Sequence, residues 1–172
     1  ETADASGDDA IRAASRLASG DLARATQLVS EQGRTLRDAV ALYVETALAD
    51  ESAPGHPPEP WKAILAAAER AGETAEASAQ ARLDANAELG LKLSKTESGQ
   101  AVRREARRAR TEVLDLALEL VQLWLRDLGA LAAGADELIH NADRLGQLQT
   151  QLPRLREAGP RTGILLVADS RG

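Results

Sequence analysis

The fold of this chain is decided by residues 101–145, which read AVRREARRARTEVLDLALELVQLWLRDLGALAAGADELIHNADRL. Polar residues recur in the middle of this segment at spacings of three and four, which predicts one narrow solvent-exposed stripe along an α-helix. The stripe consists of Glu112, Asp115, Glu119, Gln122 and Arg126. Most other positions are Leu, Val or Trp, and a helix that is apolar over most of its circumference must be covered by several neighbours. We therefore predict an all-α helical bundle with this segment as its central helix.

The composition agrees with a helical bundle and excludes several other classes of protein. With 172 residues, no Phe, one Tyr and two Trp, the chain is about one domain whose core must be packed mainly by Ala, Leu and Val. The absence of Cys excludes disulfides and thiolate metal sites and predicts a reducing compartment, the cytoplasm. No segment approaches the roughly 20 apolar residues that span a bilayer, so we expect no membrane partner. Because the chain begins at Glu1 and contains no Met, we interpret it as part of a longer protein.

Helical periodicity and capping residues predict three helices before residue 50. Residues 8–19 and 21–31 are predicted to form a helical hairpin. Gly20 supplies the left-handed residue that ends the first helix, and Asp21 caps the second. A third helix follows through about residue 50, with apolar positions at Leu36, Val40, Val44, Ala47 and Leu48.

A proline-rich segment separates these helices from a fourth. Four prolines within residues 54–60 interrupt the helical pattern and predict a loop. Helix formation restarts near Pro60, since proline is favoured in a first turn, and extends through an Ala- and Glu-rich stretch to about Gly90. Its predicted buried face consists of Trp61, Ile64, Leu65 and Ala68.

The C-terminal half is predicted to contain two more helices. Residues 94–100, SKTESGQ, predict either a kink or a short loop. The central helix then covers residues 101–132, and a final amphipathic helix covers residues 143–157.

The residues that follow the middle of the central helix resemble a known family. The run WLRDLGALAAGADELIHNADRL, residues 124–145, resembles the C-terminal region of the bacterial DNA polymerase III delta-prime subunit, a component of the sliding-clamp loader. An Arg-rich helix start and a long Ala/Glu helix precede it, as in that family. Residues 11–29, IRAASRLASGDLARATQLV, are similar to the last helices of the family's small lid domain, which closes an AAA+ module. The resemblance covers roughly residues 8–155.

This resemblance implies a structural role in DNA replication. The family's C-terminal region is a helical collar domain that joins the other clamp-loader subunits into a ring. The implied partners are those subunits, in a hetero-oligomer that contacts DNA indirectly through the complex. The implied division of the chain is the end of a lid domain over residues 1–33, a collar domain over 34–158 and an atypical tail over 159–172. The tail does not match the long final collar helix of the family.

No sequence motif predicts catalysis or a cofactor. The chain has no GxxxxGK[ST] and no other Gly-rich strand-to-helix turn, so nothing in it is expected to bind a triphosphate. Serine residues lack a GxSxG context. Delta-prime subunits are generally not ATPases, so the resemblance implies a non-enzymatic part of the DNA-directed DNA polymerase holoenzyme.

Positive charge is concentrated between residues 92 and 110 of a chain whose formal net charge is −6. Seven cations there face only Glu97 and Glu105, which leaves a local formal charge of +5. The cations are Lys92, Lys95, Arg103, Arg104, Arg107, Arg108 and Arg110. Clustered arginines can bind a phosphate backbone or an acidic partner subunit. A run of charges is, however, often only a solvated helix face, and no aromatic residue lies among these cations for base stacking. The first interpretation supports an alternative hypothesis, a small helical nucleic-acid-binding or regulatory bundle that acts through this segment.

The histidines and the clustered carboxylates do not predict a metal site. His56 lies in the proline-rich segment and His140 in the loop after the central helix, and neither has a second ligand at metal-binding spacing. Asp136, Glu137 and Asp143 are a candidate carboxylate cluster. Helix capping explains Asp136 and Asp143 more simply.

Asp127 is the one charged residue that projects from an apolar face of the central helix. It continues a line of helical spacing formed by Val113, Leu116, Leu120 and Leu123. A buried carboxylate needs a partner, and Arg126 points about 100° away. Asp127 then either reaches water or an arginine of a neighbouring helix, or contacts another subunit. Trp124 is interpreted as a core residue, and a subunit contact is the alternative. The candidate residues of a subunit interface are Trp124, Arg126 and Asp127.

Overall fold

The computed structural model describes residues 2–49, 59–91 and 94–155, with side chains from residue 8 onward. Six α-helices and two short 3₁₀ turns occupy most of these residues, and the described ranges contain no strand. The helices are α1 (Thr2–Leu17), α2 (Leu22–Val29), α3 (Glu31–Leu48), α4 (Trp61–Glu88), α5 (Lys95–Ala132) and α6 (145–155). The 3₁₀ turns are Asp136–Leu138 and Ala142–Arg144. The predicted all-α fold class is confirmed.

The joints between the first three helices follow the predicted capping chemistry. After α1, Ser19 has φ 50° and Gly20 has φ 92°, and Asp21 caps α2 by accepting the Arg24 N–H at 3.0 Å. Ser30 follows α2 directly, and its hydroxyl accepts the Gly33 N–H at 3.1 Å to start α3. The predicted hairpin of residues 8–31 is confirmed, because α1 and α2 pack on each other and the predicted Asp21 cap starts α2.

The described residues divide into two compact units. The first comprises those of Glu1–Pro60 and Leu118–Gly172, and the second comprises those of Trp61–Ala117. The predicted boundary between residues 33 and 34 falls inside the first unit, because α1 and α2 pack on each other, α2 packs on α3, and α1 contacts the Ala142–Arg144 turn. The predicted tail over residues 159–172 lies outside the described residues.

Large apolar side chains form the core of the first unit. One cluster of this core contains Ala41, Val44, Leu48, Trp124, Leu128, Ile139 and Leu148, contributed by α3, α5, α6 and the loop before α6. Leu17, Leu28, Leu36, Val40 and Leu120 are buried in the same unit. Burial of a large apolar side chain contributes roughly 1.5–3 kcal/mol, so these residues supply much of the stability of the unit. The stripe from Glu112 to Arg126 is exposed along its whole length, as predicted from the spacing of its polar residues.

The second unit is an antiparallel hairpin of α4 and α5 with small residues at its centre. Ion pairs join Glu69 to Arg110 at 2.9 Å and Arg82 to Glu105 at 3.7 Å, so later residues of α4 lie beside earlier residues of α5. The buried residues are Ala68, Gly72 and Ala79 on α4 and Val102, Ala106, Val113, Leu116 and Ala117 on α5. Most of these side chains are small.

The predicted buried face of α4 is wrong at two of its four positions. Trp61 and Leu65 are 46% and 48% exposed, whereas Ile64 is half-buried and Ala68 is buried. Within this unit the buried residues of α4 begin only at Ala68, so the first turn of α4 is not covered by α5.

The predicted kink or loop over residues 94–100 is also wrong, because α5 begins at Lys95. Ser94 donates its N–H and its hydroxyl to Glu97 Oε2 at 3.0 and 2.6 Å, and its Oγ accepts the Glu97 N–H at 3.3 Å. This reciprocal arrangement is a capping box, which starts a helix at a Ser-x-x-Glu sequence. The predicted end of α4 near Gly90 is confirmed. Gly90 has φ 82°, and the Leu91 N–H donates to the Asn86 carbonyl at 2.9 Å.

Within the described ranges, no helix combines the length and the apolar character that a membrane span requires.

Candidate interaction site: an anchored loop

The loop of residues 133–144, here called the anchored loop, connects α5 to α6 in the first unit. It begins where Gly134, with φ 73°, ends α5. The Gly134 N–H donates to the Leu131 carbonyl at 3.1 Å, and the Ala135 N–H donates to the Ala130 carbonyl at 3.0 Å. These two bonds are a Schellman motif, which satisfies the last carbonyls of the helix and turns the chain sharply.

Asp127 of α5 accepts hydrogen bonds from the anchored loop and is fully buried, at 0% exposure. Its Oδ1 accepts the His140 N–H at 2.9 Å, and its Oδ2 accepts both the N–H and the side-chain amide of Asn141 at 2.8 Å. His140 Nδ1 lies 3.2 Å from Oδ1. The partners of this buried carboxylate are therefore donors of the anchored loop, and not water or an arginine of a neighbouring helix.

Arg37 of α3 approaches the same loop from another side and is 4% exposed. Its two terminal nitrogens form a bidentate pair with Asp143 at 2.7 and 2.9 Å, and Nη2 also donates to Asn141 Oδ1 at 3.1 Å. Asn141 thus links the Asp127 carboxylate to the Arg37 guanidinium. Removal of one partner from such a buried pair costs about 3–5 kcal/mol, because the other charge is left uncompensated.

Two further arginines contact the middle and the end of the anchored loop. Arg16 of α1 donates to the Ile139 carbonyl at 2.7 Å, and Arg144 pairs with Asp38 of α3 at 2.7 Å. Burial is the main cause that lowers the pKa of Arg144, and the nearby charge of Arg37 lowers it further. Three helices, α1, α3 and α5, therefore hold this loop in one conformation.

His140 is half-buried between Asp127 and Arg126. Arg126 Nη1 lies 3.0 Å from His140 Nε2, and a guanidinium can only donate, so Nε2 must be the acceptor in this contact. The ring proton then lies on Nδ1, where it is donated to Asp127. These two contacts fix the orientation of the imidazole ring.

The candidate subunit interface of Trp124, Arg126 and Asp127 is mostly interior. Trp124 is 1% exposed in the core, and its indole N–H donates to the buried Gln151 Oε1 at 2.8 Å. The interpretation of Trp124 as a core residue is confirmed. Only Arg126 is exposed, so the other two side chains offer no surface to another subunit in this conformation.

The capping interpretation of Asp136 and Asp143 is wrong. Neither 3₁₀ turn has a side-chain cap, Asp136 is exposed, and Asp143 is the carboxylate that pairs with Arg37. In the described part of the chain, no three His, Cys, Asp or Glu side chains lie close enough to hold a metal ion. His56 falls outside the described residues.

The basic segment lies mostly on the first half of α5, in the second unit. Lys92 is outside the described residues. Arg110 pairs with Glu69, and Arg108 pairs with Glu112 at 2.7 Å. Lys95, Arg103, Arg104 and Arg107 are exposed. The structure therefore places two of the predicted cations in local ion pairs and leaves the four other described ones facing solvent.

Sequence reasoning missed Arg37 although a signal for it was present. Arg37 precedes Ala41, Val44 and Leu48 by four, seven and eleven residues, so it projects from the apolar face of α3. It is the positive counterpart of Asp127 on α5. Two opposite charges on two apolar faces predict a buried polar link between the helices that carry them.

No family model, no curated protein and no solved structure matches this chain.

Proposed function

We propose that this chain is a structural subunit of the bacterial DNA polymerase III clamp loader, of the delta-prime type. It acts in the cytoplasm as a collar that joins the other clamp-loader subunits into the ring that loads the sliding clamp during DNA replication. It contacts DNA indirectly, through the complex, and contributes no catalytic activity or cofactor of its own.

The observation that supports this proposal is the anchored loop. Residues 124–145 resemble the delta-prime family. The same residues include Asp127 and Asn141, whose side chains are buried in a hydrogen-bonded network with Arg37 of α3. Buried charges contribute little net stability compared with apolar packing, and their best-attested use is to specify one arrangement. A subunit that holds other subunits in a ring needs such a fixed surface, because a preorganised interface loses less entropy on binding.

The anchored loop also presents a contact that a partner could bind. Its first 3₁₀ turn exposes Leu138 beside the exposed carboxylates of Asp136 and Glu137. An apolar anchor surrounded by polar groups is the common pattern of a protein–protein interface. We place the contact with a neighbouring collar at this turn.

Complex formation with purified partners tests this function. The chain is mixed at micromolar concentration with the clamp-loader ATPase and delta subunits of the same organism, and the mixture is analysed by size-exclusion chromatography with light scattering. We expect a hetero-oligomer, and we expect Leu138→Asp to weaken it by at least about tenfold, as for a central interface residue.

Leu89→Asp is the matched control, since Leu89 is an exposed leucine of the second unit, and it should leave the complex unchanged. The proposal is wrong if the wild-type chain forms no complex with these subunits.

A further inference from the structure

The outer face of the first half of α5 carries arginines that have no carboxylate partner among the described residues. Arg103, Arg104 and Arg107 are exposed, and in the described part of the chain no ion pair or hydrogen bond involves their guanidinium groups. Arg103 and Arg107 are one turn apart, and Arg104 is the next residue round the same face. We call these three residues the arginine face.

Three carboxylates of α5 near the arginine face each have another partner. Glu97 accepts hydrogen bonds from Ser94, Glu105 pairs with Arg82, and Glu112 pairs with Arg108. The chain as a whole carries a formal charge of −6, so this local positive surface is not a consequence of the overall composition.

The arginine face has no apolar anchor. The exposed residues of α5 between positions 95 and 112 are all Lys, Arg, Glu, Gln or Thr. Protein–protein interfaces depend on a few buried aromatic or aliphatic anchors, whereas binding to a nucleic-acid backbone is driven by the release of counterions from phosphates and needs none.

The same surface also distinguishes two forms of nucleic acid. Proteins that bind single strands stack bases on aromatic side chains, and no aromatic residue occurs in α5 before Trp124. Arginine guanidinium groups bind phosphates in a bidentate manner without such stacking. The chemistry of this face therefore fits the regular backbone of a duplex.

We propose that Arg103, Arg104 and Arg107 form a sequence-independent binding surface for the phosphate backbone of double-stranded DNA. This direct contact is separate from the indirect contact of the proposed collar role, which is made through the other subunits, and it does not depend on assembly into a clamp loader. With three phosphate contacts, the logarithm of the affinity falls with the logarithm of the salt concentration with a slope of about −2.7, or about 40-fold between 50 and 200 mM salt.

Fluorescence anisotropy with the full chain and a fluorescein-labelled duplex of arbitrary sequence tests the proposal. The test variant carries Arg103→Ala, Arg104→Ala and Arg107→Ala. The matched control carries Arg12→Ala, Arg34→Ala and Arg70→Ala, three exposed arginines elsewhere in the chain, so both variants have the same net charge. We expect the test variant to lose at least about tenfold in affinity and most of its salt dependence, and the control to change by less than about twofold.

Several results would overturn the proposal. They are no binding by the wild-type chain at low salt, equal losses in the two variants, tighter binding to a single strand than to the duplex, and competition by polyglutamate as strong as by unlabelled DNA. The last result would assign the face to an acidic protein instead. If circular dichroism shows that the triple variant is unfolded, Arg104→Glu alone replaces it, and unchanged affinity of that variant overturns the proposal too.

Discussion

The two units of this chain are both helical, but they are stabilised in different ways. The first unit buries large side chains such as Trp124 and Leu128 and a polar network around Asp127. The second unit buries mainly alanine and glycine, and its interhelical ion pairs are largely exposed, where such pairs contribute only about 0–1 kcal/mol. Geometry is therefore specified by long-range side-chain contacts in the first unit and by helix propensity and the packing of small side chains in the second.

The two tryptophans give the strongest test of this difference. Trp124→Ala should lower the free energy of unfolding by about 3–5 kcal/mol, because it leaves a large cavity and an unpaired Gln151. Trp61→Ala should lower it by less than about 1 kcal/mol, because nearly half of that side chain is already exposed. Urea unfolding followed by circular dichroism measures both, and equal losses would remove the distinction between the units.

The polar network gives the second test. Asp127→Asn keeps the size of the side chain but presents an amide N–H₂ group to the N–H groups of His140 and Asn141. We expect a loss of about 2–3 kcal/mol in urea unfolding, since charge-assisted bonds are replaced by unsatisfied buried donors. Asp115→Asn on the exposed stripe is the control and should change stability by less than about 0.5 kcal/mol. A neutral effect at Asp127 would mean that the anchored loop does not depend on the carboxylate.

Two buried glycines sharpen the comparison further. A Cβ at Gly33 would meet the Gln27 carbonyl oxygen and, at 2.7 Å, the Leu28 Cα, and this backbone cannot move aside. Gly33→Ala should therefore cost about 1–3 kcal/mol.

A Cβ at Gly72 would meet only the Arg110 side chain, at 2.7 Å from Nε. Because that side chain can shift and alanine improves helix propensity by about 1 kcal/mol, Gly72→Ala should leave stability within about 1 kcal/mol of wild type. Thermal unfolding of the two variants compares them, and the opposite order would contradict the close-approach interpretation.

The smallest expected effect is a local dependence on pH at the start of α5. Hydrogen bonds from the Ser94 hydroxyl and then from the Ser94 N–H lower the pKa of Glu97 below its ordinary value of 4.5. The ionised carboxylate therefore stabilises this helix start above pH 4.5, and the contribution is lost as the pH falls through the lowered pKa. Amide hydrogen exchange of the first turn should speed up on acidification in the wild type. Glu97→Gln should remove that dependence.

Local sequence patterns predicted most of the helices. The spacing of Glu112 to Arg126, the left-handed Gly20 and the Asp21 cap each depend on residues within one or two turns, and each is confirmed. The missed start of α5 was local too, since Ser94 and Glu97 are three residues apart. Ser94 and Glu97 form a capping box that predicts a helix start, although Gly99 soon after it disfavours a helix.

The anchored loop was not predictable in the same way. Arg37 and Asp143 are 106 residues apart in the sequence, and helical periodicity within one segment does not indicate which distant segment will cover it. The burial of Asp127 followed from its place on an apolar face, whereas its partners depend on the turn that Gly134 imposes on the chain. The error at Trp61 and Leu65 has the same origin, because the cover available to α4 is decided by α5.

The separation between Arg37 and Asp143 has a consequence for folding during synthesis. At about 5–20 residues per second, a ribosome needs roughly 5–20 seconds to add the 106 residues between them. Throughout that time Arg37 and Arg16 lack their partners, the Asp143 carboxylate and the Ile139 carbonyl. In the hairpin of α4 and α5, by contrast, Glu69 and Arg110 are only 41 residues apart. Since contacts between nearer residues close faster, the hairpin forms before the first unit is completed, and the N-terminal helices acquire their native partners only when the last part of the chain emerges.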